Sequence, residues 1–75
     1  MSDTDDPIAL TLGQTIASRR KTLGVTQEDL AELAGVSVRF LSSLERGKAT
    51  VRLSAVLAVL DALGLELSIR TRDVA

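Results

Sequence analysis

The sequence predicts a mainly α-helical domain. Four short helices, the middle two joined by a glycine turn, are followed by one short C-terminal β-strand that pairs across a homodimer. Three observations lead there. Four of the five glycines, Gly24, Gly35, Gly47 and Gly64, fall where apolar periodic segments end, and glycine is favoured just past a helix because it takes the left-handed conformation without a Cβ clash. Between them, apolar residues recur at the three- and four-residue spacing of an amphipathic helix. After Gly64 the pattern becomes alternation, Leu65, Leu67 and Ile69 against Glu66, Ser68 and Arg70, which is the period of a strand.

The elements follow in order. "MSDTDDP" is polar and acidic, and residues 1–10 are expected to form a disordered acidic tail. Helix 1 is predicted from Leu12 to about Leu23. Thr11 and Gln14 have the spacing of a capping box, Leu12, Ile16, Ala17 and Leu23 supply the inner face, and Gly13 reads as a mild local cost. Helix 2 is predicted from Gln27 to Ala34 with Thr26 as N-cap. Glu28 and Asp29 fall in its first turn, where the helix dipole favours acids, and Leu30, Ala31 and Ala34 share one side. Helix 3 is predicted from Val38 to Arg46, capped by Ser37. Only Gly35, Val36 and Ser37 separate it from helix 2, the spacing of a helix-turn-helix, with Val36 tucked into the corner.

Helix 4 is predicted from about Leu53 to Leu63. Leu53, Val56, Leu57, Leu60 and Leu63 follow the helical period, and Ala55, Ala58, Val59 and Ala62 make the rest of the surface apolar too. A helix apolar nearly all round is buried on more than one side, which in a short chain implies a subunit interface. The strand argues the same way. No second strand is apparent, and a lone strand leaves its backbone donors and acceptors unpaired. Residues 11–64 thus read as the helical domain and 65–72 as a dimerisation strand, with Val59, Leu65, Leu67 and Ile69 expected at the interface.

Composition narrows the function classes. At 75 residues one domain is the default, with a core that supplies only about 3–5 kcal/mol. There is no cysteine and no histidine, so disulfides, thiolate zinc sites and histidine catalysis are excluded. No metal or cofactor is expected, and no enzymatic activity. No basic secretory n-region precedes an apolar stretch, and no apolar run is long enough to span a membrane, so a cytoplasmic protein is expected. The net charge of −1 argues at first against nucleic acid. Yet Asp3, Asp5 and Asp6 lie in the tail, and setting them aside turns the balance positive. From Arg39 to Arg52 the bases Arg39, Arg46, Lys48 and Arg52 face one acid, Glu45. A local basic surface, not net charge, is the footprint of nucleic-acid binding.

Helix 3 carries two faces. At 100° per residue, Phe40, Leu41 and Leu44 form an apolar stripe, while Val38, Arg39, Ser42 and Arg46 lie opposite with Ser43 on the flank. A polar helix face is ordinarily just solvated. Here it follows a tight glycine turn, mixes arginine with small hydroxyls that permit close approach to base edges, and continues into Lys48 and Arg52, which suit phosphates.

The stretch "TQEDLAELAGVSVRFLSSLERGK" resembles the helix-turn-helix of the lambda-repressor and Cro-like family: Thr26-Gln27, Leu30-Ala31, Gly35-Val36-Ser37, Leu41-Ser42 and Leu44-Glu45-Arg46-Gly47-Lys48 fall at family positions. "VRLSAVLAVLDALGLELSIR" is similar to the HipB-type antitoxin subgroup, in which four helices precede a strand that pairs across the dimer. The resemblance implies a homodimeric, nucleoid-associated repressor of its own operon that binds palindromic double-stranded operator DNA, with a kinase-fold HipA-like toxin as partner. A stand-alone regulator without a toxin is the alternative. By position, Ser37, Val38, Arg39, Ser42 and Ser43 would meet the major groove. Arg39 would pair bidentately with a guanine, and Val38 would offer only a methyl contact where the family often has glutamine. Gln27, Arg46, Lys48 and Arg52 would contact phosphates. Arg20 and Glu45 would form a semi-buried structural ion pair. Phe40, the only aromatic, is expected to pack rather than stack on a base.

Overall fold

The structure, a computed structural model, describes residues 6–72. Four helices follow one another: α1 (Pro7–Thr22), α2 (Gln27–Ala34), α3 (Val38–Glu45) and α4 (Leu53–Ala62). Among the described residues none is in a strand, and none of the helices is long and apolar enough to cross a membrane.

The helix boundaries are set by local chemistry. Asp6 caps α1, its carboxylate accepting from the N–H groups of Ile8 (2.9 Å) and Ala9 (3.1 Å). Pro7 occupies the first turn, where its missing N–H costs nothing. The expected start at Leu12, with Thr11 as cap, is therefore displaced by more than a turn. Of the expected disordered tail 1–10, the stretch from Pro7 to Leu10 is helical, and residues 1–5 lie outside the described residues. Thr26 caps α2 in a reciprocal box: its hydroxyl accepts from Asp29 N–H at 3.1 Å, and the Asp29 carboxylate accepts from Thr26 N–H at 3.4 Å. Gly35 ends α2 with φ +72°. The N–H of Val36 then reaches back to the Ala31 carbonyl at 3.0 Å, the bond pattern of a left-handed C-cap. Ser37 caps α3 through Phe40 N–H at 3.0 Å.

The core is built from every helix. Ile16 of α1, Leu30 and Ala31 of α2, Leu41 and Leu44 of α3, and Val56, Val59 and Leu60 of α4, with Leu63, form one buried cluster. Val36 and Phe40 pack against it from the side, so the one aromatic serves the core. Each fully buried Leu, Ile or Val side chain contributes about 1.5–3 kcal/mol of transfer free energy. Val59 was expected at a subunit interface, but it has no exposed surface within the single chain. The apolar residues that α4 does leave open are Leu53 and Leu57. The all-round apolar pattern thus divides between the chain's own core and one exposed stripe.

Two glycines let α1 approach α3. A Cβ on Gly13 would lie 2.7 Å from the Glu45 carbonyl oxygen and closer still to that of Leu44. What reads in the sequence as a weak spot in a helix is the contact point between two backbones. Gly47, buried and at φ +94°, leaves room for Leu10, whose Cα would sit 3.0 Å from an added Cβ. This contact explains why Leu10 belongs to the fold and not to the tail. At the other end of α1, the Arg19 guanidinium donates from Nε to the Leu63 carbonyl (3.0 Å). That satisfies an oxygen left open at the end of α4.

Beyond Leu65, residues 66–72 have no regular secondary structure in the single chain. The strand expected over 65–72 is therefore not formed among the described residues; an extended segment needs a second edge to complete its hydrogen bonds, and none of the described residues is in a strand.

Candidate nucleic-acid interface

The orientation of α3 follows from its buried side. Leu41 and Leu44 are 0% and 1% exposed, so the direction opposite them faces solvent. Arg39 and Arg46, seven residues apart, differ by only about 20° around the helix and occupy that outward direction. Both are exposed. Ser42 and Ser43 flank them, each half-buried, and Val38 lies exposed beside Ser42. Between the two arginines this face carries only short side chains, so it can come close to another surface.

One flank opens into a surface cleft. Ser37, Arg39, Phe40 and Ser43 form one wall, and Lys48, Thr50, Val51 and Arg52 form the other. The structure therefore brings five of the sequence-designated residues, Ser37, Arg39, Ser43, Lys48 and Arg52, around one opening. Three of them are cationic and no acidic side chain lines it. Val38, Ser42, Arg46 and Gln27 lie outside this lining. Thr50 and Val51 were not singled out from the sequence; their only signal is their place between the glycine after α3 and the start of α4.

The other flank is held by an ion pair. Arg20 grips Glu45 with two parallel bonds, Nε to Oε2 at 2.7 Å and Nη2 to Oε1 at 3.0 Å, while its Nη1 donates to the Val25 carbonyl at 2.9 Å. The side chains are only 12% and 7% exposed. Burial pushes the Glu45 carboxyl upward, but the hydrogen bonds from Arg20 and Gln27 and the charges of Arg20 and Lys21 outweigh it, leaving its pKa below the ordinary value of 4.5. Arg20 is shifted upward, chiefly by its hydrogen bond to Glu45. Glu45 is thus held by Arg20 and Gln27, and no acidic side chain lines the cleft around Arg39, Lys48 and Arg52.

Gln27 takes part in this arrangement. Its sequence position suggests a phosphate contact through the side chain. In the structure its Nε2 donates instead to Glu45 Oε1 at 3.0 Å. Gln27 therefore ties the start of α2 to the end of α3. Nearby, Asp29 already engages the first-turn backbone through the capping box.

The arrangement can present a guanidinium and small hydroxyls to the edges of base pairs while Lys48 and Arg52 neutralise charge beside them. An α-helix fits the major groove of B-DNA, and the second helix of a helix-turn-helix is the one that enters it.

Comparison with other proteins agrees with this geometry. Residues 16–69 match the family described as Helix-turn-helix. An uncharacterized HTH-type transcriptional regulator of Sinorhizobium fredii (strain NBRC 101917 / NGR234), y4mF, is 40% identical over 58 residues, covering 77% of this chain and 76% of that protein. An immunity repressor protein of Bacillus phage phi105 is 41% identical over 59 residues, covering 79% of this chain and 41% of the phage protein. The chain thus spans less than half of the phage protein. The matched segment contains all of α2, α3 and α4 and the turn that aims α3, and the chain belongs to the helix-turn-helix family.

Proposed function

We propose that this protein is a sequence-specific, double-stranded DNA-binding transcriptional repressor that acts as a homodimer on a palindromic operator. The observation that carries the reading is the outward face of α3. Arg39 stands exposed in its first turn, flanked by hydroxyls and continued by Arg46, Lys48 and Arg52, while Glu45 at the end of α3 is held by Arg20. Arg39 reads a guanine through its N7 and O6, a contact worth about 1–3 kcal/mol of discrimination. Ser37, Ser42 and Ser43 approach bases or phosphates, and Val38 offers a methyl surface to thymine. Lys48, Arg46 and Arg52 contact phosphates, and the α2 terminus at Gln27 contributes backbone N–H groups there. Arg20 and Glu45 hold α3 in place. The names of the two relatives, a transcriptional regulator and an immunity repressor, support the regulatory role.

Two copies would place their α3 helices in successive major grooves about 34 Å apart. The homodimer is supported by the open apolar residues Leu53, Leu57, Leu67 and Ile69 and by the alternating segment 65–72, which as a strand needs a partner. Repression follows from occupancy of promoter DNA in the cytoplasm. The resemblance of "VRLSAVLAVLDALGLELSIR" to HipB-type antitoxins supports an autoregulating antitoxin paired with a kinase-fold toxin. Co-purification with the neighbouring gene product tests that pairing, and failure of a kinase-like chain to co-elute leaves a stand-alone regulator.

The direct test is a binding series on operator-length DNA. Selection from a random duplex pool should return a palindrome containing guanine in each half-site. Arg39→Ala should lose preference at that base while retaining non-specific binding. An unchanged sequence preference would remove Arg39 from its role, and no enrichment at all would overturn sequence-specific binding.

A further inference from the structure

A groove runs along α1 beside the start of the C-terminal segment, and it shares no residue with the basic cleft. Two openings, of about 440 and 460 Å³, meet at Thr11, Thr15 and Leu65, and each has the size of a small-molecule site. The two ends differ in chemistry. At one end Pro7, Ile8, Leu12, Leu60 and Leu67 are apolar, with Glu66 as the acid beside them. Ile8 and Leu67 are 78% and 52% exposed, so this end is open. At the other end Gln14, Ser18, Arg19 and Thr22 are polar, and among the described residues no acid lines it. Ile8 and Arg19 both lie on α1, about 16 Å apart at the helical rise.

Arg19 is the cation of this groove among the described residues, and it is held in place. Its Nε donates to the Leu63 carbonyl at 3.0 Å, while its two Nη groups have no hydrogen-bond partner among the described residues. Gly64 beside it brings no side chain over Nη2, which lies 3.6 Å from where a Cβ would stand. We propose that the groove binds a medium-chain alkyl carboxylate, the carboxylate accepting from both Nη groups of Arg19 and the tail crossing Thr15 to reach Leu12, Leu60 and Leu67. The ligand class follows from charge and length. A single guanidinium with two parallel donors free matches one planar carboxylate, whereas a phosphate brings a second charge with no second cation to meet it. A guanidinium already oriented by Leu63 loses little freedom on binding. A short acid would leave the apolar end empty, about 16 Å along α1. Glu66 stands at that end and repels a carboxylate seated the wrong way round. The site itself does not depend on the DNA-binding reading. One consequence rests on the proposed homodimer: Leu65, Glu66 and Leu67 line the groove and belong to the segment proposed to pair between copies, so the ligand and the second copy compete.

Calorimetric titration of the full chain with dodecanoate, below the concentration at which it forms micelles, tests the site. One saturable site per chain is expected. Dodecyltrimethylammonium and acetate should not saturate it, because the first lacks the anion and the second lacks the tail. Amide shifts in nuclear magnetic resonance spectra should map the bound dodecanoate to Thr11, Thr15, Ser18 and Leu65. Ile8→Asp puts an acid in the first turn of α1, where the helix dipole favours it, so the fold is kept while binding weakens about tenfold through the lost apolar contact. Arg19→Glu should reverse the preference, accepting dodecyltrimethylammonium and rejecting dodecanoate, which a merely destabilised chain would not do. Sedimentation equilibrium should show the wild-type dimer weakened by dodecanoate and the Ile8→Asp dimer unchanged at the same ligand concentration. No saturable uptake of dodecanoate by the wild type, equal uptake of the ammonium, or shifts centred on Leu53 and Leu57 would overturn the site. Saturable binding that leaves the dimer unaltered overturns the competition alone. A wild type that is monomeric without ligand overturns the homodimer and leaves the site standing.

Discussion

Gly13→Ala separates helix propensity from tertiary packing, because the two predict opposite signs. Position 13 lies inside α1, where alanine is favoured over glycine by about 1 kcal/mol. In an isolated helix the change would stabilise. In the folded domain the new methyl would sit 2.7 Å from the Glu45 carbonyl oxygen, 2.9 Å from its carbonyl carbon, and nearer still to the Leu44 oxygen. These are backbone atoms at the end of α3, so no rotamer change relieves the contact and the two helices must separate. Overpacking of this kind costs about 1–3 kcal/mol and occasionally more, and rigid partners on both helices place it at the upper end. After the propensity gain, the expected net loss is about 2 kcal/mol. For a domain of this size that lowers Tm by roughly 8–16 °C. Thermal unfolding followed by circular dichroism, at matched protomer concentration, measures it. A Tm equal to or above that of the wild type would refute the close-approach argument.

Three further outcomes follow from the ion pair and the basic cleft. The Glu45 side chain is 7% exposed beside Arg20, and Arg20→Ala leaves Gln27 as its remaining side-chain donor, so urea unfolding should show a loss of about 3 kcal/mol, near the lower end for a broken buried pair. The folded-state pKa of Glu45 is depressed, so its contribution is fully present above the ordinary value of 4.5 and is lost as pH falls through the lower folded value. The stability advantage of the wild type over Glu45→Gln should therefore shrink as pH is lowered from 6 to 3, and a gap independent of pH would contradict the pairing. Lys48→Ala should weaken DNA binding uniformly across sequences and reduce the slope of log K against log salt by about 1, as expected for loss of one phosphate contact; filter binding at several salt concentrations measures both.

The parts of the site that were legible in the sequence are those fixed by local rules. Ser37 and Thr26 cap their helices because a short oxygen before an apolar periodic run satisfies the first free N–H groups. Gly35 turns the chain because only glycine takes φ +72° without strain. The outward position of Arg39 follows from helical period once Leu41 and Leu44 are known to face inward. Gln27 was less legible. Its contact with Glu45 joins residues 18 apart, and nothing local in the sequence forces it. The start of α1 is not legible locally, because acidic residues before proline suit a solvated tail as well as a helix cap. What selects the cap is Leu10 settling against Gly47, a contact between the two ends of the α1–α3 unit.

The sequence alone determined the four helices, the glycine turn and the polar face of α3, because each depends on residues within one or two turns. Only the tertiary structure decided that Val59 belongs to the core, that Gly13 is a point of contact, that Gln27 faces Glu45, and that Lys48 and Arg52 converge with Arg39 on one cleft. These depend on the distance and angle at which helices meet, and those are set by whole side chains interlocking across the core. A periodic pattern states which side of a helix is buried. It does not state against what.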